Sequence, residues 1–305
     1  MMKNFDAENV KKLNKIYAFI VISIVVFSIF VSKFNFGAFT MISEIIFILI
    51  PALFLVKEER GELNARTLYL NKIDRQDIIF SFIIPIFTYP LFNIINSIIT
   101  AFLPSVDITG SLEINDTKTI MLQIFFLAII PSICEELLFR SYFLPEFRKN
   151  GEIYAILYVA FLFSLTHLNP YNFVIPFLLG LLLNHITLIT RSAIPAIIIH
   201  CVNNILALFL ADFQFGVFFP KEILMRISTS EIVLFVMLLT LFCTGALFLI
   251  LRKFSDKYMN KNKRRDEIQE FKNHIANSKF ELRIYSPVLI IFILFIISFI
   301  SLYLN

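Results

Sequence analysis

The stretch Pro131-Ser-Ile-Cys-Glu135-Glu136-Leu-Leu-Phe-Arg140 determines how the rest of the chain is interpreted. It places two acids and an arginine inside an apolar run that is long enough to cross a membrane. An ionised side chain at the centre of a bilayer costs about 3 kcal/mol even on the lowest scales, so such groups face a bundle interior or a water-filled cavity. The remaining sequence is therefore expected to enclose this cluster and to bring partners to it.

Composition places the chain among multi-pass membrane proteins. Of its 305 residues, 58% are hydrophobic and only 16% are charged, and the mean hydropathy is +0.80. Soluble domains carry more charge than this. The net charge of +4 lies mainly between the apolar runs, so it is interpreted as a topology signal and excludes a nucleic-acid-binding surface.

Nine apolar runs follow a basic N-terminal segment. Each is near the ~20 residues that cross a bilayer, and such segments must be helical because lipid offers no partners to backbone groups. The predicted fold is an all-α, polytopic transmembrane bundle whose third to seventh spans form the core. The runs are residues 16–33, 38–56, 78–103, 119–144, 153–167, 172–190, 193–211, 231–251 and 285–304.

Basic residues alternate along the chain. The loops after the second, fourth, sixth and eighth runs carry Lys and Arg, whereas the loops between them carry few. This pattern predicts a cytoplasmic N-terminus and an external C-terminus. Three parts are expected: residues 1–77 with two spans, residues 78–211 as the core, and residues 212–305 with two spans and a basic cytoplasmic loop at 252–284.

The acidic pair is predicted to divide its roles. Glu136 and Arg140 are four residues apart on one helical face, in the orientation that favours an ion pair. Glu135 is rotated by about 100° and cannot share that partner equally well, so it is left free for chemistry. Pro131, one turn earlier, should kink the helix.

Two later runs carry histidines with partners at helical spacing. Phe163 and His167 are four residues apart on the fifth run, and His200 and Asn204 are four apart on the seventh. At a rise of ~1.5 Å per residue, Glu135 and both histidines fall near mid-membrane, so they can meet in one cavity. Taken singly, each group also fits a structural role in an interhelical contact, but their agreement in depth favours a shared site. Glu44, near the outer end of the second run, is interpreted as interfacial.

These groups are suited to hydrolysis by two routes. In one, Glu135 acts as general base on a water that His167 orients, and His200 and Asn204 donate to the developing oxyanion. In the other, Glu135, His167 and His200 hold a zinc ion that activates the water. The sequence contains no H-E-x-x-H motif of the zincin type, and it leaves both routes open.

The motifs Glu135-Glu136-x-x-x-Arg140, Phe163-x-x-x-His167 and His200-x-x-x-Asn204 resemble, in order and spacing, those of the CPBP intramembrane proteases. That family includes type II CAAX prenyl endopeptidases and bacteriocin-processing or self-immunity proteins of the Abi type. The resemblance covers roughly residues 78–211 and implies a (metallo)endopeptidase whose first glutamate carries catalysis. It assigns catalytic roles to Glu135, His167, His200 and Asn204, and supporting roles to Glu136, Arg140 and Phe163.

The prediction is therefore an intramembrane endopeptidase of a bacterial plasma membrane. Its expected partners are the bilayer and a membrane-tethered protein or peptide; the sequence gives no oligomeric state. One alternative is a non-catalytic bacteriocin self-immunity or partner-binding protein. Another is a proton-coupled carrier, since buried carboxylates and histidines also serve proton relays, although the chain lacks the inverted repeat that many carriers show.

Overall fold

The computed structural model describes residues 6–31, 36–102, 117–210, 228–258 and 282–304, and within these ranges it contains helices and no strands. Two of the helices, α2 and α4, are uninterrupted runs of α-helical and π-helical segments. The helices are α1 (Ala7–Val31), α2 (Phe36–Ser43, Glu44–Leu49 and Ile50–Arg60), α3 (Arg75–Thr100), α4 (Thr117–Gln123, Ile124–Ile129, Ile130–Glu136, Leu137–Phe143 and Leu144–Arg148), α5 (Glu152–Thr166), α6 (Val174–Thr190), α7 (Ile194–Leu210), α8 (Thr229–Tyr258) and α9 (Leu282–Leu304).

The predicted all-α membrane bundle is confirmed. In the described part of the chain, six helices are long and apolar enough to cross a membrane, and α5, α7 and α9 contribute shorter apolar stretches. The chain is therefore an integral, multi-pass membrane protein. Most of the predicted basic loop at 252–284 lies outside the described residues.

One end of the bundle collects the segments that carry the basic residues. Beside the start of α1, the backbone N–H of Asp6 donates to the side chain of Asn150, which follows α4. Lys12 pairs with Glu59 near the end of α2 at 3.2 Å. At the end of α8, Lys257 pairs with Asp77 near the start of α3 at 2.8 Å. The helices thus alternate in direction as the charge pattern predicts; the side of the membrane stays a prediction.

Three prolines follow directly on π-helical turns. Pro51, Pro131 and Pro145 each occupy the second position of an α-helical segment that begins where a π segment ends. In each case the residue before the proline donates its N–H to the carbonyl five residues back instead of four. A proline removes one donor and crowds the carbonyl four residues earlier, and a wider π turn accommodates both effects. The structure thus places a π turn beside Pro131, where the sequence predicts a kink.

The first and last helices pack together beside α5. α1 lies against α9, and the side chain of Asn14 donates to the carbonyl of Ile284 at 3.0 Å. Tyr158 of α5 donates its hydroxyl to Asn14 at 3.0 Å, and Tyr17 of α1 donates to the carbonyl of Leu162 at 2.8 Å. Buried polar groups in a bilayer need such partners. These contacts fix the position of α5 from outside the predicted core.

The contact between α5 and α6 depends on a glycine. A Cβ atom built on Gly180 would lie 3.1 Å from the Cα and Cβ atoms of Ala160 and 3.3 Å from a ring carbon of Phe163. Small residues let helices in membranes approach closely, and here the approach brings α6 against the ring that the candidate site uses.

Candidate active site

Glu136 is the best-connected polar group of the cluster. It lies on α4, which packs against both α2 and α7, and it is fully buried. Its carboxylate accepts a hydrogen bond from Nη1 of Arg140 at 3.0 Å and lies 2.9 Å from the Nε atom of the same guanidinium. The predicted ion pair is therefore present. Because Arg140 is also fully buried, the two charges balance each other away from water.

The same carboxylate reaches across to α7. Nδ1 of His200 lies 2.8 Å from Oε1 of Glu136. A carboxylate only accepts hydrogen bonds, so Nδ1 carries the proton and the contact fixes the orientation of the ring. Nε2 is then the nitrogen of His200 that remains for a substrate or a water. Glu136 thus ties α4 to α7 and positions one of the predicted site histidines.

The ring of Phe163 lies at the centre of the site. Its centroid is 5.6 Å from that of His167 and 5.7 Å from that of His200, and both imidazoles meet it edge-on at 85°. The guanidinium carbon of Arg140 lies 4.5 Å from the same centroid. A cation over an aromatic face is stabilised by the ring quadrupole. Phe163 therefore contacts both histidines and the guanidinium of the Glu136–Arg140 pair.

His167 caps the C-terminal end of α5, where the chain turns back towards α6. Leu168, the next residue, has a positive φ of 47°, and the hydroxyl of Ser164 donates to the carbonyl of Phe173 across the turn. Thr166 donates to the carbonyl of Leu162 at 2.9 Å. His167 itself is exposed at the end of α5.

Glu135 differs from its neighbour in making no ion pair among the described residues, whereas Glu136 pairs with Arg140. The side chain of Glu135 is only 9% exposed, and within the described residues its Oε2 atom has no hydrogen-bond partner. It lies within electrostatic range of His167 and of Arg140. Thus the structure brings Glu135, His167 and His200 to one region and leaves Glu135 outside the ion pair, as the sequence predicts; their roles stay predictions.

The two asparagines of α7 differ in burial. Asn204, the predicted site residue, is partly buried one helical turn after His200. Asn203 is 9% exposed, and its Oδ1 atom lacks a hydrogen-bond partner in the described part of the chain. The structure therefore keeps the amide of Asn204 on the face of α7 that carries His200, since residues four apart share a face.

Glu44, which the sequence analysis interprets as interfacial, is buried within the protein, and its depth in the membrane stays a prediction. Its side chain is only 8% exposed, it begins the π turn of α2, and it lies within electrostatic range of Glu135. The sequence carries the signal, an ionisable residue within an apolar run, but depth counted along one helix does not reveal a partner on another. Glu44 is the residue of the site that sequence reasoning missed.

Zinc binding by Glu135, His167 and His200 stays a prediction of the sequence. Among the described residues, no three His, Cys, Asp or Glu side chains group closely enough to hold a metal ion. A catalytic zinc is held by three converging protein ligands, and the predicted set of Glu135, His167 and His200 does not reach that arrangement.

A comparison with known protein families matches the segment of the chain that carries the candidate site. Residues 117–206 match the family model described as type II CAAX prenyl endopeptidase, Rce1-like. The match includes every predicted site residue from Glu135 to Asn204 and leaves out α1, α2, α3, α8 and α9. No curated protein and no solved structure matches the chain significantly.

Proposed function

Because residues 117–206 match the type II CAAX prenyl endopeptidase model, we propose that the chain is an intramembrane protease of the CPBP family and that it cleaves a peptide bond in a membrane-associated protein or peptide. The observation that carries the proposal is the division of roles in the acidic pair. Glu136 is held by Arg140 and His200, whereas Glu135 is buried, interacts electrostatically with His167 and makes no ion pair among the described residues.

In the proposed reaction Glu135 is the general base. It accepts a proton from a water molecule, and the water oxygen attacks the carbonyl carbon of the scissile peptide. His167, which is within electrostatic range of Glu135, orients that water. The proton then passes from Glu135 to the nitrogen of the leaving amine, so that base and acid are the same group at different stages.

The oxyanion is assigned to the donors of α7. The amide of Asn204 donates a hydrogen bond to the developing negative charge, which donors fixed in advance stabilise best. Nε2 of His200 donates as well when the ring carries both protons, while Nδ1 stays in contact with Glu136. The contact with Glu136 therefore orients the His200 ring before a substrate binds.

The test uses the purified full-length protein in vesicles. Two peptides of one sequence, one prenylated at a C-terminal CAAX motif and one carrying an acyl anchor, are incubated with it and cleavage is followed by mass spectrometry. Glu135→Gln should lower kcat by at least about a hundredfold, since a positioned general base contributes about 10²–10⁴-fold. Full activity in this variant would contradict the proposal.

A control at another buried glutamate makes the result specific. Glu146 is 3% exposed at the end of α4 and pairs with Lys149 away from the site, so Glu146→Gln should retain cleavage. Activity that persists after chelation, with no metal in the purified protein, supports the glutamate route. A purely protective immunity protein would show no cleavage, and Glu135→Gln would leave its protection unchanged.

A further inference from the structure

The loop between α2 and α3 bridges the two helices that carry the site, at the basic end of the bundle. The hydroxyl of Ser141 on α4 donates to the carbonyl of Leu68 in this loop at 2.6 Å. The side chain of Asn71 donates to the carbonyl of Arg191, in the turn between α6 and α7, also at 2.6 Å. The hydroxyl of Ser192 donates back to the carbonyl of Asn71 at 2.8 Å. The loop is therefore bound both to α4 and to the turn that leads into α7.

The part of α4 between this loop and Glu135 is enclosed on every side. All eleven residues from 134 to 144 are buried. A helical turn takes about 3.6 residues, so a buried stretch of this length covers every face of the helix. On α7, Ala196 and Ile199 are fully buried as well. Among the described residues, packing therefore leaves no opening along α4 from the basic end to Glu135.

The first half of α4 is packed differently. Met121, Leu122 and Phe125 are 67%, 43% and 46% exposed, and Ile133, directly before the buried stretch, is 39% exposed. The change from a partly exposed to an enclosed helix therefore falls at the turn that carries Glu135.

The short helix α5 accounts for this change. α5 packs chiefly against the segments Leu137–Phe143 and Leu144–Arg148 of α4, whereas the segments Ile124–Ile129 and Ile130–Glu136 pack chiefly against α2 and α7. Because α5 ends early, it accompanies mainly the enclosed half of α4. Its last turn leads into His167, which is exposed at the end of the bundle opposite the basic residues.

We propose that the site opens only towards the end of the bundle opposite the basic residues, and that its substrate is a membrane-anchored peptide whose scissile bond lies on that side. The substrate class rests on the proposed function, whereas the direction of the opening rests on packing alone. The excess of Lys and Arg predicts that the closed end is cytoplasmic. The substrate is then a segment on the external side of the membrane, and a cytoplasmic C-terminal tail meets the closed end.

Thiol labelling tests the opening without requiring activity. The full-length protein, with its three cysteines replaced by alanine, carries one new cysteine at a time. Asn204→Cys reports on the partly buried site face of α7, and Lys72→Cys reports on the exposed loop at the basic end. A charged maleimide that cannot cross membranes should label these two variants from opposite faces of sealed vesicles. Labelling of Asn204→Cys from the same face as Lys72→Cys, or from neither face, would overturn the proposal.

A matched control lies on the same helix. Ala196 is fully buried one turn before His200, towards the basic end, so Ala196→Cys should react from neither face. Reaction of Ala196→Cys from the face that labels Lys72→Cys would show that the basic end is open, which also overturns the proposal.

Cleavage from one face at a time gives a second readout and uses the wild-type protein. A water-soluble peptide that cannot cross the membrane is added to right-side-out or to inside-out vesicles. Cleavage should occur from the face opposite the one that labels Lys72→Cys and should be absent from the other. Cleavage from the Lys72 face overturns the proposal and leaves the proposed function standing. A peptide that stays intact even after detergent opens the vesicles contradicts the proposed function instead, and the labelling still decides where the site opens.

Discussion

Glu136 contacts two cationic or ionisable side chains from within the bundle, Arg140 on its own helix and His200 on α7. We predict that Glu136→Gln lowers the free energy of unfolding by about 3–5 kcal/mol, because removing one partner leaves a buried charge without compensation. Unfolding in mixed detergent micelles measures this change. Activity should fall too, since the His200 ring loses the charged acceptor that fixes it.

The chain contains a matched control for that experiment. Arg252 and Asp256 form another pair four residues apart, 3.7 Å from nitrogen to oxygen, with side chains 67% and 74% exposed. Exposed pairs contribute at most about 1 kcal/mol, so Asp256→Asn should leave stability nearly unchanged. Equal effects of the two substitutions would show that the buried pair does not hold α4 in place.

Contacts within one helix could be predicted from the sequence, whereas contacts between helices could not. Glu136 and Arg140 are both on α4, so their pairing follows from helical spacing alone. The contact between Glu136 and His200 joins residues 64 positions apart, and spacing along one helix says nothing about it. The burial of Glu44 escapes prediction for the same reason, because its neighbour Glu135 belongs to another helix.

Among the helices, α5 and α6 show how the absence of one side chain, at Gly180, allows the close packing beside the candidate site. Gly180 lets the two helices approach until a Cβ atom would be 3.1 Å from Ala160. We predict that Gly180→Ala destabilises the protein by about 1–3 kcal/mol, because overpacking forces backbone or ring shifts. It should also lower kcat, since the ring of Phe163 contacts both histidines. Thermal unfolding and the vesicle assay measure the two effects.

A glycine elsewhere supplies the comparison. A Cβ atom added to Gly245 of α8 would meet no described atom within 4 Å, so Gly245→Ala adds a methyl group without a clash. Helix propensity should even favour alanine there, by up to about 1 kcal/mol. If Gly180→Ala behaved like Gly245→Ala, the close approach of α5 and α6 would not be what positions Phe163.

The effect of the prolines on helix geometry could be predicted only in part. The missing donor of Pro131 leads to the expectation of a kink in α4, and the expectation follows from the covalent structure of proline. Which backbone rearrangement absorbs the disturbance depends on packing, and here it is a π turn over Ile124–Ile129. The same arrangement occurs at Pro51, where the π turn begins at the buried Glu44.

For the whole molecule, the apolar runs of the sequence predicted the helices. A segment that crosses lipid must be long enough to span the hydrocarbon, and its backbone N–H and C=O groups must be hydrogen-bonded within the segment. The short run at 153–167 corresponds to the short helix Glu152–Thr166, which ends at His167. The packing of α1 against α9 was not predictable, since residues at opposite ends of the chain make it. The hydroxyl of Tyr17 thereby reaches the last turn of α5 from outside the predicted core.

The membrane orientation is the prediction that belongs to the whole chain. The described helices alternate so that the start of α1, the end of α8 and the start of α9 lie at one end of the bundle. The excess of Lys and Arg at that end predicts that it is cytoplasmic. Nine spans then put the C-terminus outside, so alkaline phosphatase fused after Asn305 should be active and a fluorescent protein fused there should be dark.

The N-terminus separates the two ways in which this prediction could fail. A fluorescent protein before residue 1 should be bright if the basic end is cytoplasmic. If the N-terminus is external and the C-terminus is cytoplasmic, the orientation predicted from charge is wrong. The number of crossings is still odd in that case. If both termini lie on one side, the number of crossings is even, and one of the shorter apolar helices does not span. α5 would be the first to test, because it ends at His167 and the chain turns back there.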